Sequence, residues 1–160
     1  MSMIEYFQNL AQSHKLVRHE PNGDCHFSSL TEEAQNLYAR KMHYPCVVFN
    51  PGDIEFSGSA SATNMERDVS LFFLDHCKDT GDFNRIREIY SVTERIMKDF
   101  IKRMVRDRQK GVKAMSRFNP SLCQAAQVYL EAAGLYGWIL AFNITEPFYT
   151  VDCNNAFIDE

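Results

Sequence analysis

The side chains best suited to chemistry in this sequence are thiols and imidazoles, and they occur twice as neighbours: Cys25-His26 and His76-Cys77. A thiol beside an imidazole has the make-up of a nucleophile with its base, or of half a zinc site. Adjacent residues on a strand point to opposite faces, so His76 and Cys77 could hardly both reach one ion. A metal centre would need distant segments to converge, adding His43 or Cys46. A small buried thiol and a surface imidazole account for each pair more simply. Carboxylates pair at Glu32/Glu33 and at Asp152 with Asp159 and Glu160, all in polar stretches where solvated surface is the default. Gly52, Gly58 and Gly81 lack the spacing and the lysine of a phosphate-binding loop, and no G-x-S-x-G, C-x-x-C or H-E-x-x-H occurs. No catalytic residue, metal ligand set or cofactor is expected.

Charge carries more information. Residues 95–117 hold nine basic side chains against Asp99 and Asp107, a balance of +7 that leaves −11 for the rest of a chain whose net charge is −4. Lys98, Lys102, Arg103, Arg106, Arg108, Lys110 and Lys113 are the candidates for a basic face turned toward DNA or toward an acidic subunit. A chain this dipolar can join head to tail with its own copies, or present one face to a polyanion. Cations near the end of a long helix also complement its dipole and need no partner. Both readings stay open.

The elements that must position these groups follow from periodicity. Ile4, Phe7, Leu10 and Ala11 recur at helical spacing over residues 3–13, with Ser2 available as a cap. Pro21-Asn22-Gly23-Asp24 predicts a turn, and Thr31 to Ala39 a short helix ended by Pro45. Cys46 to Phe49 is a short apolar run, and Ile54 and Phe56 alternate with polar neighbours as in a half-buried strand. Residues 57–64 are small and predict a flexible loop. Val69 to Cys77 predicts a strand apolar on both faces, with Val69, Leu71 and Phe73 on one and Phe72 and Leu74 on the other. Such a strand is central or is covered by a neighbouring subunit. A long helix is predicted from Asp82 to Arg108, capped by Asp82, with Gly111 beyond its end. Its stripe runs Phe83, Ile86, Ile89/Tyr90, Thr93, Ile96/Met97, Phe100/Ile101 and Met104/Val105. Leu122 to Ala132 reads as a strand, though its alanines also allow a short helix. Leu135-Tyr136-Gly137 suggests a turn or bulge, Trp138 to Glu146 a last strand, and residues 149–160 an acidic tail.

With 160 residues and 45% hydrophobic composition, the chain has the material for one core, and a single domain spanning 1–160 is expected. Five scattered cysteines, an odd number, point to reduced thiols. No stretch approaches the roughly 20 apolar residues of a membrane helix, and the first fifteen residues lack a signal-peptide core. The fold class expected is α+β: an antiparallel sheet of about four to five strands packed by one long helix and an N-terminal helix, in α-β-β-α-β-β order. Most aromatics fall on buried stripes. Tyr6, Tyr44, Phe148 and Tyr149 are less obviously core and could serve an interface.

Taken together, the N-terminal helix, Pro45-Cys-Val-Val-Phe-Asn-Pro-Gly-Asp-Ile-Glu-Phe-Ser-Gly, Val69-Ser-Leu-Phe-Phe-Leu, Ile101-Lys-Arg-Met-Val-Arg-Asp, Tyr136-Gly-Trp-Ile-Leu-Ala-Phe-Asn-Ile and a tail containing Cys153 have a familiar texture. The chain resembles the small neck and tail-completion (tail-terminator-like) proteins of tailed bacteriophages, especially versions from phages of Bacteroidetes hosts. The resemblance implies a virion protein, made in the host bacterial cytoplasm, that forms a six- or twelve-fold ring of its own copies. It implies portal, neck or tail proteins as neighbours, and non-specific double-stranded DNA in the channel. Ile54, Phe56, Phe72, Leu74, Phe148 and Tyr149 are the candidate inter-subunit contacts. The alternative is a small regulatory or nucleic-acid-binding module of a mobile element that uses residues 95–117.

Overall fold

The computed structural model describes residues 1–29, 42–59 and 62–148. Its organising element is β4 (Ala62–His76), whose second half is apolar on both faces. Both faces must then be covered, and β4 lies in the middle of the sheet. One edge pairs antiparallel with β6 (Leu135–Pro147), from Asn64↔Pro147 to His76↔Leu135. The other edge is shared end to end by β2 (Cys46–Asn50) and β3 (Ile54–Ser59). β5 (Gln124–Leu130) pairs with the far side of β6, and β1 (Phe27–Ser28) runs parallel to β2. The six-stranded sheet has the order β1-β2-β4-β6-β5, with β3 beside the outer half of β4.

β2 and β3 are one strand interrupted by a bulge. Asn50 faces Ser70 and Ile54 faces Arg67, so Pro51-Gly52-Asp53 oppose only Asp68 and Val69. Gly52 has φ +61, and a Cβ there would collide with the Asp68 carbonyl. The extra residue reverses the facing of everything after it. Val47 and Phe49 point to the core side in β2, and the bulge puts Ile54 and Phe56 on that same side in β3, with Glu55 on the opposite side.

Two helices cover the core side. α1 (Met3–Ser13) starts at a capping box: the Ser2 hydroxyl accepts from the Glu5 N–H, and the Glu5 carboxylate accepts from the Ser2 N–H at 2.6 Å. α2 (Phe83–Gln109) is capped by Asp82, which accepts from the Arg85 N–H at 3.0 Å. Beneath them Phe7, Phe49, Leu71, Phe73, Phe100, Met104, Phe118 and Leu140 are fully enclosed. Each such side chain contributes ~1.5–3 kcal/mol, which makes this the dominant core. The other face of the sheet carries a smaller cluster of Cys46, Val48, Leu74 and Leu135, with Phe72 and Tyr44 packed against it. A polar contact ties the helices together. Asp107, 4% exposed, accepts from the Tyr6 hydroxyl at 3.0 Å and from Arg103 Nε at 3.0 and 2.9 Å.

Several expectations are corrected. Residues 57–59 and 62–64 are not a loop: Ser57, Gly58 and Ser59 pair with Asn64, Thr63 and Ala62 as strands. Leu135, Tyr136 and Gly137 are not a turn but the start of β6, and the reversal falls at Glu131–Gly134. Gly137 is needed because β4 passes so close that a Cβ would meet the Phe73 carbonyl. Ile4 and Phe83 leave their stripes and are 42% and 70% exposed, each in the first turn of its helix. Tyr6 is core, since Asp107 satisfies its hydroxyl, and Tyr44 packs on His76. Ile54 and Phe56 form a strand, but an open one. The segments 31–39 and 149–160 lie outside the described residues.

Candidate functional site

Past the bulge the sheet continues as an arm made of β3, the first half of β4 and the end of β6. Every residue of β3 is exposed, so no helix covers this strand. The core-side parity nevertheless continues in apolar residues. Ile54, Phe56 and Phe148 are 42%, 59% and 44% exposed, and the Phe56 and Phe148 rings meet edge to face at 5.1 Å. Phe148 is held by its backbone N–H, which donates to the Thr63 carbonyl at 2.9 Å. Exposed aromatics fixed on a hydrogen-bonded frame are the composition of an interface core. A cleft of about 370 Å³ separates the arm's root from the start of α1, lined by Met1, Ile4, Pro51, Arg67, Lys113 and Glu146.

The arm's other face is acidic. Glu55 stands directly across from Glu66, and Asp68 is the next outward residue of the same parity along β4. Glu66 accepts from the Ser57 hydroxyl and Asp68 from the Asn143 amide, both at 3.0 Å. No ion pair among the described residues neutralises any of the three. Like charges placed opposite each other weaken a sheet, so this pair costs stability in the single subunit.

The basic candidates divide into two groups. Lys98 pairs with Glu94, Lys102 with Asp99 at 3.6 Å, and Arg103 with Asp107. These three belong to the helix's own surface. Arg106, Arg108, Lys110 and Lys113, with Arg117, are exposed and have no ion pair among the described residues. The free charge is therefore concentrated at the end of α2 and the turn beyond it. Of the contact candidates, Ile54, Phe56 and Phe148 come together on the arm. Leu74 is fully enclosed and Phe72 half-buried on the opposite side of the sheet, so Leu74 offers nothing to another chain. Tyr149 lies outside the described residues.

Among the described residues no hydrogen bond joins a thiol to an imidazole as a nucleophile to its base. Burial pushes the Cys46 thiol far above its ordinary range, with Asp75 and Cys25 adding to the shift. Burial likewise raises Tyr44 to about 12, and Asp75 above the usual carboxylate range against the opposing His76 N–H bond. The Cys46 thiol therefore stays protonated, and a protonated thiol is a poor nucleophile. Cys77 donates to the Asp79 carbonyl, while His76 stacks on Tyr44 with ring centroids 5.6 Å apart. His26 Nδ1 donates to the Pro45 carbonyl at 2.8 Å, and burial lowers the His19 pKa. Among the described residues no group of three His, Cys, Asp or Glu is placed to hold a metal ion. No helix among them is long and apolar enough to cross a membrane.

Glu55, Glu66 and Asp68 do not stand out in the sequence: the strand predicted there begins only at Val69, and Glu55 comes opposite Glu66 only through the bulge. Compared with models of known protein families and with curated proteins, the chain matches none.

Proposed function

We propose that the chain is a structural subunit of a tailed-phage virion that closes with its own copies into a six- or twelve-fold ring. The ring sits at the neck, where head meets tail, around the DNA channel, in a tail-completion or terminator role. Portal and tail proteins are its neighbours. The observation that carries this reading is the arm. A single subunit has no use for Phe56 and Phe148 fixed in water, whereas an assembling one buries them. The α+β architecture and the two unlike charged ends fit a head-to-tail contact that closes on itself. The resemblance of the sequence to neck and tail-completion proteins supplies the location.

The test is the mass of the purified chain by light scattering at rising concentration, in low and high salt. A discrete species of six to twelve copies is expected. A single-copy mass at every concentration and salt level would refute the proposal. A second reading, a nucleic-acid-binding module, is favoured by Arg106, Arg108, Lys110, Lys113 and Arg117, which have no ion pair among the described residues. It predicts binding to a random-sequence duplex that falls steeply between 50 and 200 mM salt, by about 10³-fold or more for six or more phosphate contacts.

A further inference from the structure

We infer that the acidic face of the arm docks on the cationic end of α2 in the next copy of the same chain. This rests on the ring-subunit reading and specifies the contact that closes the ring.

Three observations lead to it. The carboxylates Glu55, Glu66 and Asp68 share one face of the arm, two of them directly opposed, with no cation against them among the described residues. The cations Arg106, Arg108, Lys110, Lys113 and Arg117 are exposed and equally unpaired. The two groups do not meet within one copy. Lys113 and Arg67 line the cleft on the core side of the arm, and the acids occupy its other side. Charges of opposite sign that cannot satisfy each other inside a subunit are complementary between subunits.

The two surfaces differ, so the contact is heterologous: each copy gives an arm and receives one. Repetition then produces a closed ring or an open chain, not a two-fold dimer. Glu55 and Phe56 point to opposite faces of the arm, so the apolar side is covered only where the receiving copy also reaches round the arm to that face. A duplex could occupy the cations instead. The acid face, carried by the same chain at comparable charge, gives the protein contact the stronger case.

Charge exchange in the full chain tests this. Glu55→Lys/Glu66→Lys reverses the arm, and Arg106→Glu/Arg108→Glu reverses the helix end. All but the half-buried Glu66 are exposed, so each variant should keep its circular dichroism spectrum and melting temperature within a few degrees. Each alone should associate at least about 100-fold more weakly than the native chain. An equimolar mixture should restore the native mass, because the lysine arm meets the glutamate end and the native arm meets the native end. Rescue by mixing also excludes misfolding as the cause of the loss. Retained assembly by either variant alone, or a mixture that stays dissociated, would overturn the inference and leave the ring-subunit reading standing. Duplex binding lost in the helix-end variant, with assembly intact, would assign those cations to DNA and overturn it as well. A native chain that never associates would instead refute the ring-subunit reading.

Discussion

Replacing Phe56 by alanine should separate folding from assembly. A phenylalanine side chain wholly removed from water contributes ~1.5–3 kcal/mol. With Phe56 59% exposed, less than half of that is realised in one subunit, about 1 kcal/mol. The edge-to-face contact with Phe148 adds ~0.5–1.5 kcal/mol. A loss of about 1–2 kcal/mol moves the melting temperature of a domain this size by ~2–8 °C. At an interface the same truncation removes an aromatic anchor, typically ~2 kcal/mol or more, or about 30-fold in affinity at each contact. Phe49, in the same strand one bulge earlier and 0% exposed, provides the contrast, since its truncation should cost ~3–5 kcal/mol. Thermal melts and light scattering on the two variants form the assay. Phe56→Ala should fold nearly as well as the native chain and assemble poorly, whereas Phe49→Ala should melt far lower. Native assembly by Phe56→Ala, or a melting loss equal to that of Phe49→Ala, would refute the assignment of the arm as an interface.

Tyr6→Phe removes one hydrogen bond to the buried Asp107 carboxylate and should cost ~1.5–3 kcal/mol in urea unfolding. A zero coupling energy between Tyr6→Phe and Asp107→Ala in a double-mutant cycle would show that the contact is idle. Burial raises the phenols of Tyr6 and Tyr44, the latter to about 12. Both contributions are therefore complete below the ordinary phenol value near 10; that of Tyr44 is lost as pH rises toward 12, while that of Tyr6, whose phenol is raised further, declines over a wider window. Urea midpoints should fall over that window, and less in Tyr44→Phe. Gly137→Val drives a side chain into the Phe73 carbonyl and should cost more than ~3 kcal/mol or yield no soluble protein. Cys46, 1% exposed with a raised thiol, should resist alkylation in the native state, while the partly exposed Cys25 reacts before it.

Local periodicity made most of the fold legible. The stripe of α2 and the two-faced pattern of β4 are written in side-chain spacing; α2 lies where that spacing puts it, whereas β4 holds the predicted Val69–His76 but begins seven residues earlier, at Ala62. Residues 57–64 failed because Gly58, Ser59 and Ala62 are small and polar or nearly so, while the pairing that makes them strands comes from backbone groups indifferent to side-chain size. Tyr6 looked free because its partner Asp107 is 101 residues away. The charged face of the arm was hidden for a subtler reason. If these same residues continued in the β2 register with no bulge, Glu55 would stand against Met65 instead of Glu66. One glycine thus decides whether two carboxylates meet, and no window of sequence shows it. The basic segment was visible as a run, but its division into paired and unpaired cations needed the positions of Glu94, Asp99 and Asp107.

The pairing of β4 with β6 reaches across the whole of α2, and this sets an order of events during synthesis. When β4 leaves the ribosome it can fold back on β2 and β3 at once, because they immediately precede it. Its other edge stays bare until α2, β5 and β6 have followed. Phe148, at the far end of β6, reaches Phe56 only after that edge is closed. The aromatic pair on the arm is therefore absent from partial chains and from subunits whose sheet is incomplete. In the proposed ring, selection for this pair would admit finished subunits and pass over unfinished ones, so the connectivity of the sheet would act as its own inspection step.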